Sequence, residues 1–183
     1  MTMQADIPVA VPARTRDTPL RPPATQAARL PLVIGLGNLH LCDDGAGVHL
    51  ARQLKATLGA GAAVCMDGGL MSLSLYPHVE KASSLVLLHC ADTGRAPGSV
   101  DVLQGRAMDG YLRETRVRSI QERGLIDLLD LVWQRACLPV RRALVCIQPK
   151  RREWGEALSL PVFQALPVAA NLVGALLTSW QDS

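Results

Sequence analysis

Three groups of polar residues follow directly on apolar runs, and their types are those that hold metals or move protons. Asp43 and Asp44 come after Leu32-Val33-Ile34, Asp67 after Ala62 to Met66, and His89 after Leu85-Val86-Leu87-Leu88. Two carboxylates and an imidazole on neighbouring loops form an oxygen-and-nitrogen donor set that suits nickel, zinc or iron, with positions left for a substrate group. Between the first run and the acidic pair lies Gly35-Leu36-Gly37-Asn38. This segment has so little side-chain bulk that a ligand or a peptide backbone can approach it closely.

Each of these residues also has a purely structural reading. Asp43 or Asp44 can cap a helix that starts near Ala46, where a carboxylate meets free N–H groups and the positive end of the helix dipole. Asp67, before Gly68-Gly69, can simply form a turn. His89, next to Cys90, can be a packed core histidine. His40, His49 and His78 read as peripheral. A dinucleotide site is disfavoured: the sixth place of a G-x-G-x-x-G fingerprint is His40, and the acidic pair would repel a pyrophosphate.

The elements that must present these residues alternate in type. Leu32 to Ile34, Ala62 to Met66, Leu85 to Leu88 and Ala143 to Ile147 read as strands, the first and third buried on both faces. Ser99 to Leu103 alternates apolar and polar, as a half-exposed strand does. Val48, Ala51, Leu54 and Leu58 recur at helical spacing, giving a helix from about Ala46 to Leu58. Leu70 to Val79 reads as a short helix disturbed by Pro77; Leu125, Leu128, Leu129, Val132 and Ala136 mark another helix. A last helix runs from Pro161 onward, with proline tolerated in its first turn. Strand–helix alternation implies an α/β fold of three layers: a mainly parallel twisted sheet with helices on both faces. In such folds ligands gather at the carboxyl ends of the strands, which is where the polar groups fall.

Composition narrows the function classes. Residues 1–29 form a Pro- and Arg-rich arm expected to be disordered or loosely packed, and residues 30–183 a single domain. The net charge is +3, and much of it comes from Arg14, Arg16, Arg21 and Arg29 in that arm. With 3% aromatic residues, the remainder lacks both the basic footprint and the stacking platforms of a nucleic-acid binder. The 5 cysteines contain no C-x-x-C pair, which reads as free thiols in a reducing compartment. Residues 157–181 carry no charge, but Pro161, Gln164, Pro167 and Asn171 interrupt the run, so a packed C-terminal helix is expected, not a membrane span.

Taken in order, the segments resemble the maturation endopeptidases of nickel–iron hydrogenases. The resemblance runs from about Leu30 to Trp180. It rests on Gly35-Leu36-Gly37-Asn38 with Asp43-Asp44-Gly45-Ala46-Gly47, then Asp67-Gly68-Gly69, Pro97-Gly98 and Gly124-Leu125. Ile147-Gln148-Pro149, Trp154-Gly155 and Leu158-Ser159 complete it. It implies a cytoplasmic α/β endopeptidase that removes the C-terminal peptide of a hydrogenase large-subunit precursor, with nickel carried by that substrate guiding recognition. Asp44 and Asp67 match the family's acidic metal contacts and become the implied catalytic pair. Gly35, Gly37, Asn38, Gly68, Gly69 and Gln121 are the implied substrate-binding positions.

Two positions depart from the family pattern. The family's third metal contact is a histidine, and Gln121 stands in its place. Where relatives have Asp-Ala at the end of the third strand, this chain has His89-Cys90. One expectation joins the two: His89 supplies the missing nitrogen and completes a metal set with Asp44 and Asp67. The other is that His89 is only packed, and that the protein is a weakened factor that binds the large subunit without cutting it.

Overall fold

The computed structural model describes residues 29–59, 61–70, 73–114 and 120–181. The expectations for the arm before Arg29 therefore lie outside the described residues. Five strands form one sheet: β1 (Leu32–Leu36), β2 (Val64–Gly69), β3 (Leu85–Cys90), β4 (Val100–Gln104) and β5 (Arg142–Ile147). Their spatial order is β2-β1-β3-β5-β4, all parallel except for β4, which pairs antiparallel with β5 at one edge.

Alternation along the strands splits the core into two layers. Val33, Val86, Leu88, Val145 and Ile147 face α1 (Ala46–Thr57) and α5 (Leu160–Gln181). Leu32, Ile34, Leu85, Leu87 and Leu144 face α2 (Tyr76–Val79), α3 (Arg106–Glu114) and α4 (Ile120–Gln134). The three-layer α/β expectation is borne out. β3, buried at every position, is the central strand.

Several boundaries differ from the sequence reading, each for a local reason. β2 starts at Val64, not Ala62, and continues through Gly69, so Asp67 lies inside the strand and not beyond it. His89 likewise lies within β3. The helix expected over Leu70 to Val79 is a 3-10 turn, Leu73–Leu75, followed by α2 with Pro77 in its first turn, where its missing N–H costs nothing. α4 ends at Gln134, and Ala136, counted as helical from the sequence, has a left-handed φ of 53°. α3 was not anticipated at all. Only Met108 and Leu112 bury one face of it, and Gly110 sits in its middle, so its pattern is too short to read.

α5 is long and apolar enough to span a bilayer by length and composition. Here one stripe, Val162, Ala165, Leu166, Ala169, Val173, Leu176 and Leu177, is buried on the sheet. That spacing is the i, i+3, i+4, i+7 face of a packed helix.

Candidate active site

The first loop is built around a tight crossing of backbones. Gly35 has no side chain because one would overlap the Gly47 carbonyl and lie 2.6 Å from Ala51 Cβ. Gly37, at φ +138°, sits against the Asp44 carbonyl with no room for a Cβ. The close approach foreseen at this loop is thus filled by the chain's own α1 and its entry turn. Gly68 is similarly enclosed, since a Cβ there would lie 2.6 Å from Ile34 Cγ2. Gly69, at φ +48°, ends β2 in a left-handed turn.

Asp43 and Asp44 lie in a 3-10 turn, Cys42–Gly45, before α1. The capping expectation fails for both: the residue flanking α1 is Gly45, and no side chain caps it. Their carboxylates are drawn elsewhere. Asp43, fully buried, accepts the backbone N–H groups of Lys150 (2.9 Å), Arg151 (2.9 Å) and Ser159 (2.6 Å) and the Ser159 hydroxyl (2.8 Å). Burial alone pushes its carboxyl up. The Ser159 and Arg151 N–H groups, the Ser159 hydroxyl and the Lys150 N–H outweigh that and hold it below the ordinary carboxylate range. Asp43 is therefore a clamp on the segment between β5 and α5.

Asp44 differs in direction and in company. It is 4% exposed; its Oδ2 accepts the Asn38 N–H at 2.8 Å, and its Oδ1 lies 3.6 Å from Arg152 Nε. Arg152 also donates to the Cys90 carbonyl at the end of β3. The Cys90 thiol, on the α1 face, is pushed up to about 12, chiefly by burial.

Asp67 opens toward α1. Its side chain is 39% exposed; Oδ2 accepts Arg52 Nη2 at 2.8 Å, and Oδ1 accepts the Gly69 N–H at 3.0 Å. The turn-forming reading of Asp67 is thus true, and it coexists with an open, salt-bridged oxygen. The loop ties the two carboxylates to one edge of the sheet. Gly35 is registered with Asp67, the Gly37 N–H bonds the Gly69 carbonyl at 3.1 Å, and the Asn38 N–H bonds Asp44. A cavity of about 310 Å³ elsewhere lies between α3 and α4, away from these residues, and a 300 Å³ cleft lined by Ala51, Arg52, Lys55, Cys65, Met66 and Asp67 opens at Asp67.

His89 is placed apart from Asp67. Along β3, Val86, Leu88 and Cys90 face the α1 layer, so His89, one step out of phase, is directed at the α4 layer. Asp67, in phase with Cys65, is directed at α1. The two therefore project from opposite faces of the sheet. Gln121 belongs to the first turn of α4, and its side chain lies outside the described residues. Among the described residues, no three His, Cys, Asp or Glu side chains stand together as a ready metal cage.

The residues that sequence reasoning missed are the basic ones. Arg52 and Arg152 each hold one candidate carboxylate, and His49, read as peripheral, stands one helical turn from Arg52. The i, i+3 spacing of His49 and Arg52 was visible; nothing in Lys150-Arg151-Arg152 marks which side chain turns inward. Gln148 was quoted only as part of a motif. It proves to be a hub, its Oε1 accepting the Thr93 N–H (2.7 Å) and hydroxyl (3.1 Å) and its Nε2 donating to Asp92 at 3.2 Å, which fixes the loop after β3.

Known proteins resemble this arrangement along most of its length. A family model described as hydrogenase maturation protease matches residues 48–175, a span that takes in Asp67, His89 and Gln121, while Asp43 and Asp44 precede it. The hydrogenase expression/formation protein HupM of Azotobacter chroococcum is 31% identical over 148 residues, covering 80% of this chain and 70% of the relative. HupD of Rhizobium leguminosarum is 29% identical over 164 residues, 88% of this chain and 79% of the relative. In fold, the chain superposes on the hydrogenase maturating endopeptidase HybD from E. coli with a TM-score of 0.75, at 23% identity, over 82% of this chain and 93% of that one.

Proposed function

The chain belongs to the hydrogenase maturation protease family, and from that premise we propose that it trims the C-terminal peptide from a hydrogenase large-subunit precursor already loaded with nickel. The observation that carries the reading is the pairing of Asp44 and Asp67 at one sheet edge. Each is paired with an arginine, Asp67 at the open cleft and Asp44 in a nearly enclosed position beside it in the first loop. Carboxylates that serve only the fold are bonded as Asp43 is, to several backbone groups at once.

In this reading the pair divides the work. Asp44, nearly enclosed, accepts a proton from the attacking water. The hydroxide adds to the scissile carbonyl carbon, the C–N bond breaks, and the proton passes from Asp44 to the departing amine. Asp67, open to the cleft, meets the nickel borne by the client. A client-borne ion makes cleavage conditional on correct metal loading, and it supplies Lewis-acid polarisation of the carbonyl. The Arg152 guanidinium beside Asp44 places positive charge where an oxyanion develops. Free thiols at Cys42, Cys65, Cys90, Cys137 and Cys146 support a reducing, cytoplasmic setting for this aspartic-type reaction.

Incubating the protein with nickel-loaded and nickel-free precursor tests the reading. Loss of a C-terminal peptide by mass spectrometry, from the loaded form only, is expected. A stable complex without mass loss would replace it with the binding-factor alternative.

A further inference from the structure

The segment between β5 and α5 is strapped along the loop that bears Asp44. The Lys150 and Arg151 N–H groups donate to Asp43 at 2.9 Å each, and Arg152 Nε lies 3.6 Å from Asp44 Oδ1. Farther along, the Gly155 N–H donates to the His40 carbonyl at 3.0 Å and the Cys42 N–H to the Gly155 carbonyl at 2.7 Å, closing a short parallel bridge to Leu41. The two backbones press together at this crossing. Gly155, at φ +151°, would place a Cβ 2.9 Å from Cys42 Sγ, and Cys42 itself holds a left-handed φ of 46°. Ser159 then returns to Asp43 through its N–H and its hydroxyl.

On this held strap stands Trp154, with 83% of its surface exposed, two residues after Arg152 and next to the Leu41 bridge. A scattered exposed aliphatic residue is ordinary, but an indole turned into water leaves a large apolar surface uncovered. Its setting is also specific. Polar pairs bracket it along the strap: Arg151 with Glu153 at 3.2 Å on one side, and Glu156 with His40 at 3.3 Å on the other. An aromatic centre inside a charged, wet rim is the anatomy of a protein-binding hot spot. Because the backbone on both sides is already fixed, docking orders little beyond the indole itself, which keeps the entropic cost low. Just past Ser159, Leu160 and Phe163 are exposed one turn apart on α5.

We propose that Trp154 is the anchor by which this protein grips its client, seated in an apolar pocket on the folded body of the large-subunit precursor, with Leu160 and Phe163 widening the contact. The inference rests on the proposed function for the identity of the client, and it adds the surface that recognises it. A peptide bond presented to Asp44 lies beside the loop from His40 to Asp44, and the strap carrying Trp154 is bonded along that loop. A folded client that reaches the carboxylate therefore meets the strap as well.

Equilibrium binding of the full-length protein to nickel-loaded precursor tests the surface, with every variant measured in an Asp44→Asn background so that trimming does not consume the complex. Trp154→Ala should weaken binding by about thirtyfold, as loss of a hot-spot tryptophan does. Trp154→Phe, which keeps an aromatic ring, should recover most of that loss, and Phe163→Ser should weaken binding several-fold. Trp133→Ala, at an exposed tryptophan on α4, should bind as the parent does. All four should melt with the parent, since none removes a core contact. In trimming by the protein with Asp44 intact, Trp154→Ala should lower kcat/KM by a similar factor, with the loss residing in KM. A loss in kcat instead means that Trp154 shapes the catalytic loop, and it overturns the anchor. Parental affinity in Trp154→Ala also overturns it, as does a parent dimer in sedimentation that Trp154→Ala dissociates, which assigns the surface to a second copy. A parent that trims while Trp154→Ala keeps parental affinity refutes the anchor alone. A parent that binds precursor through Trp154 without trimming it refutes the proposed function alone, and no complex at all refutes both.

Discussion

Replacing Asp43 with alanine should unfold the site without touching its chemistry. The carboxylate is fully buried and takes four hydrogen bonds, three from backbone N–H groups. A hydrogen bond to a charged group contributes roughly 1.5–3 kcal/mol, and a buried donor left unsatisfied costs about 1–3 kcal/mol. Water entering the vacated space recovers part of this, so the net loss should be roughly 3–5 kcal/mol. For a chain of this length that lowers Tm by about 6–20 °C, measurable by calorimetry or circular dichroism. The pH dependence gives a second reading. Asp43 is held below its ordinary value, so its contribution is fully present above the unfolded carboxyl's pKa near 4 and is lost as pH falls through the lower folded value. The parent should therefore lose stability on acidification more steeply than Asp43→Asn, which has no carboxylate to protonate. If Asp43→Ala melts within 2 °C of the parent at neutral pH (roughly the effect expected of less than 1 kcal/mol), the clamp is not structural and the reasoning fails.

Other outcomes follow from the same geometry. Asp67→Asn should abolish precursor trimming yet shift stability by less than about 1 kcal/mol, because an exposed ion pair contributes little; assay and melting curve together check it. Gly37→Ala should fold poorly or melt far lower, since its φ of +138° and the adjacent Asp44 carbonyl exclude a Cβ, and soluble yield with thermal melting reads this out. Thiol labelling of the native protein at pH 8 should modify Cys137, the half-buried cysteine, well before Cys90, whose thiol is pushed up to about 12.

The strands were legible wherever burial on both faces produced a continuous aliphatic run: Leu32 to Ile34, Leu85 to Leu88 and Ala143 to Ile147 all lie in the sheet at the expected places. α1 and α5 were legible because each buries a long stripe. α3 was not, because two side chains and a central glycine leave no period to read. The carboxylates were visible as residues, but their division of labour was not. What separates the clamp Asp43 from Asp44, which turns to Asn38 and Arg152, is a set of donors at Lys150, Arg151 and Ser159, more than a hundred positions away. Adjacent aspartates look alike in sequence, and only long-range partners tell them apart.

The clamp also has a consequence for the order in which the protein is made. Asp43 emerges early in synthesis, and its partners emerge 107 to 116 residues later. Contacts of such sequence separation close late in folding, since a long loop must first be drawn in. On the ribosome, the first four helices and all five strands can be exposed while the loop bearing Asp44 still lacks its anchor. Arg152, the partner of Asp44, arrives in the same late stretch. A nascent or truncated chain ending before Ser159 thus carries Asp43, Asp44 and Asp67 but not the contacts that fix the first loop, so the arrangement proposed for cleavage is assembled only once the stretch from Lys150 to Ser159 has emerged.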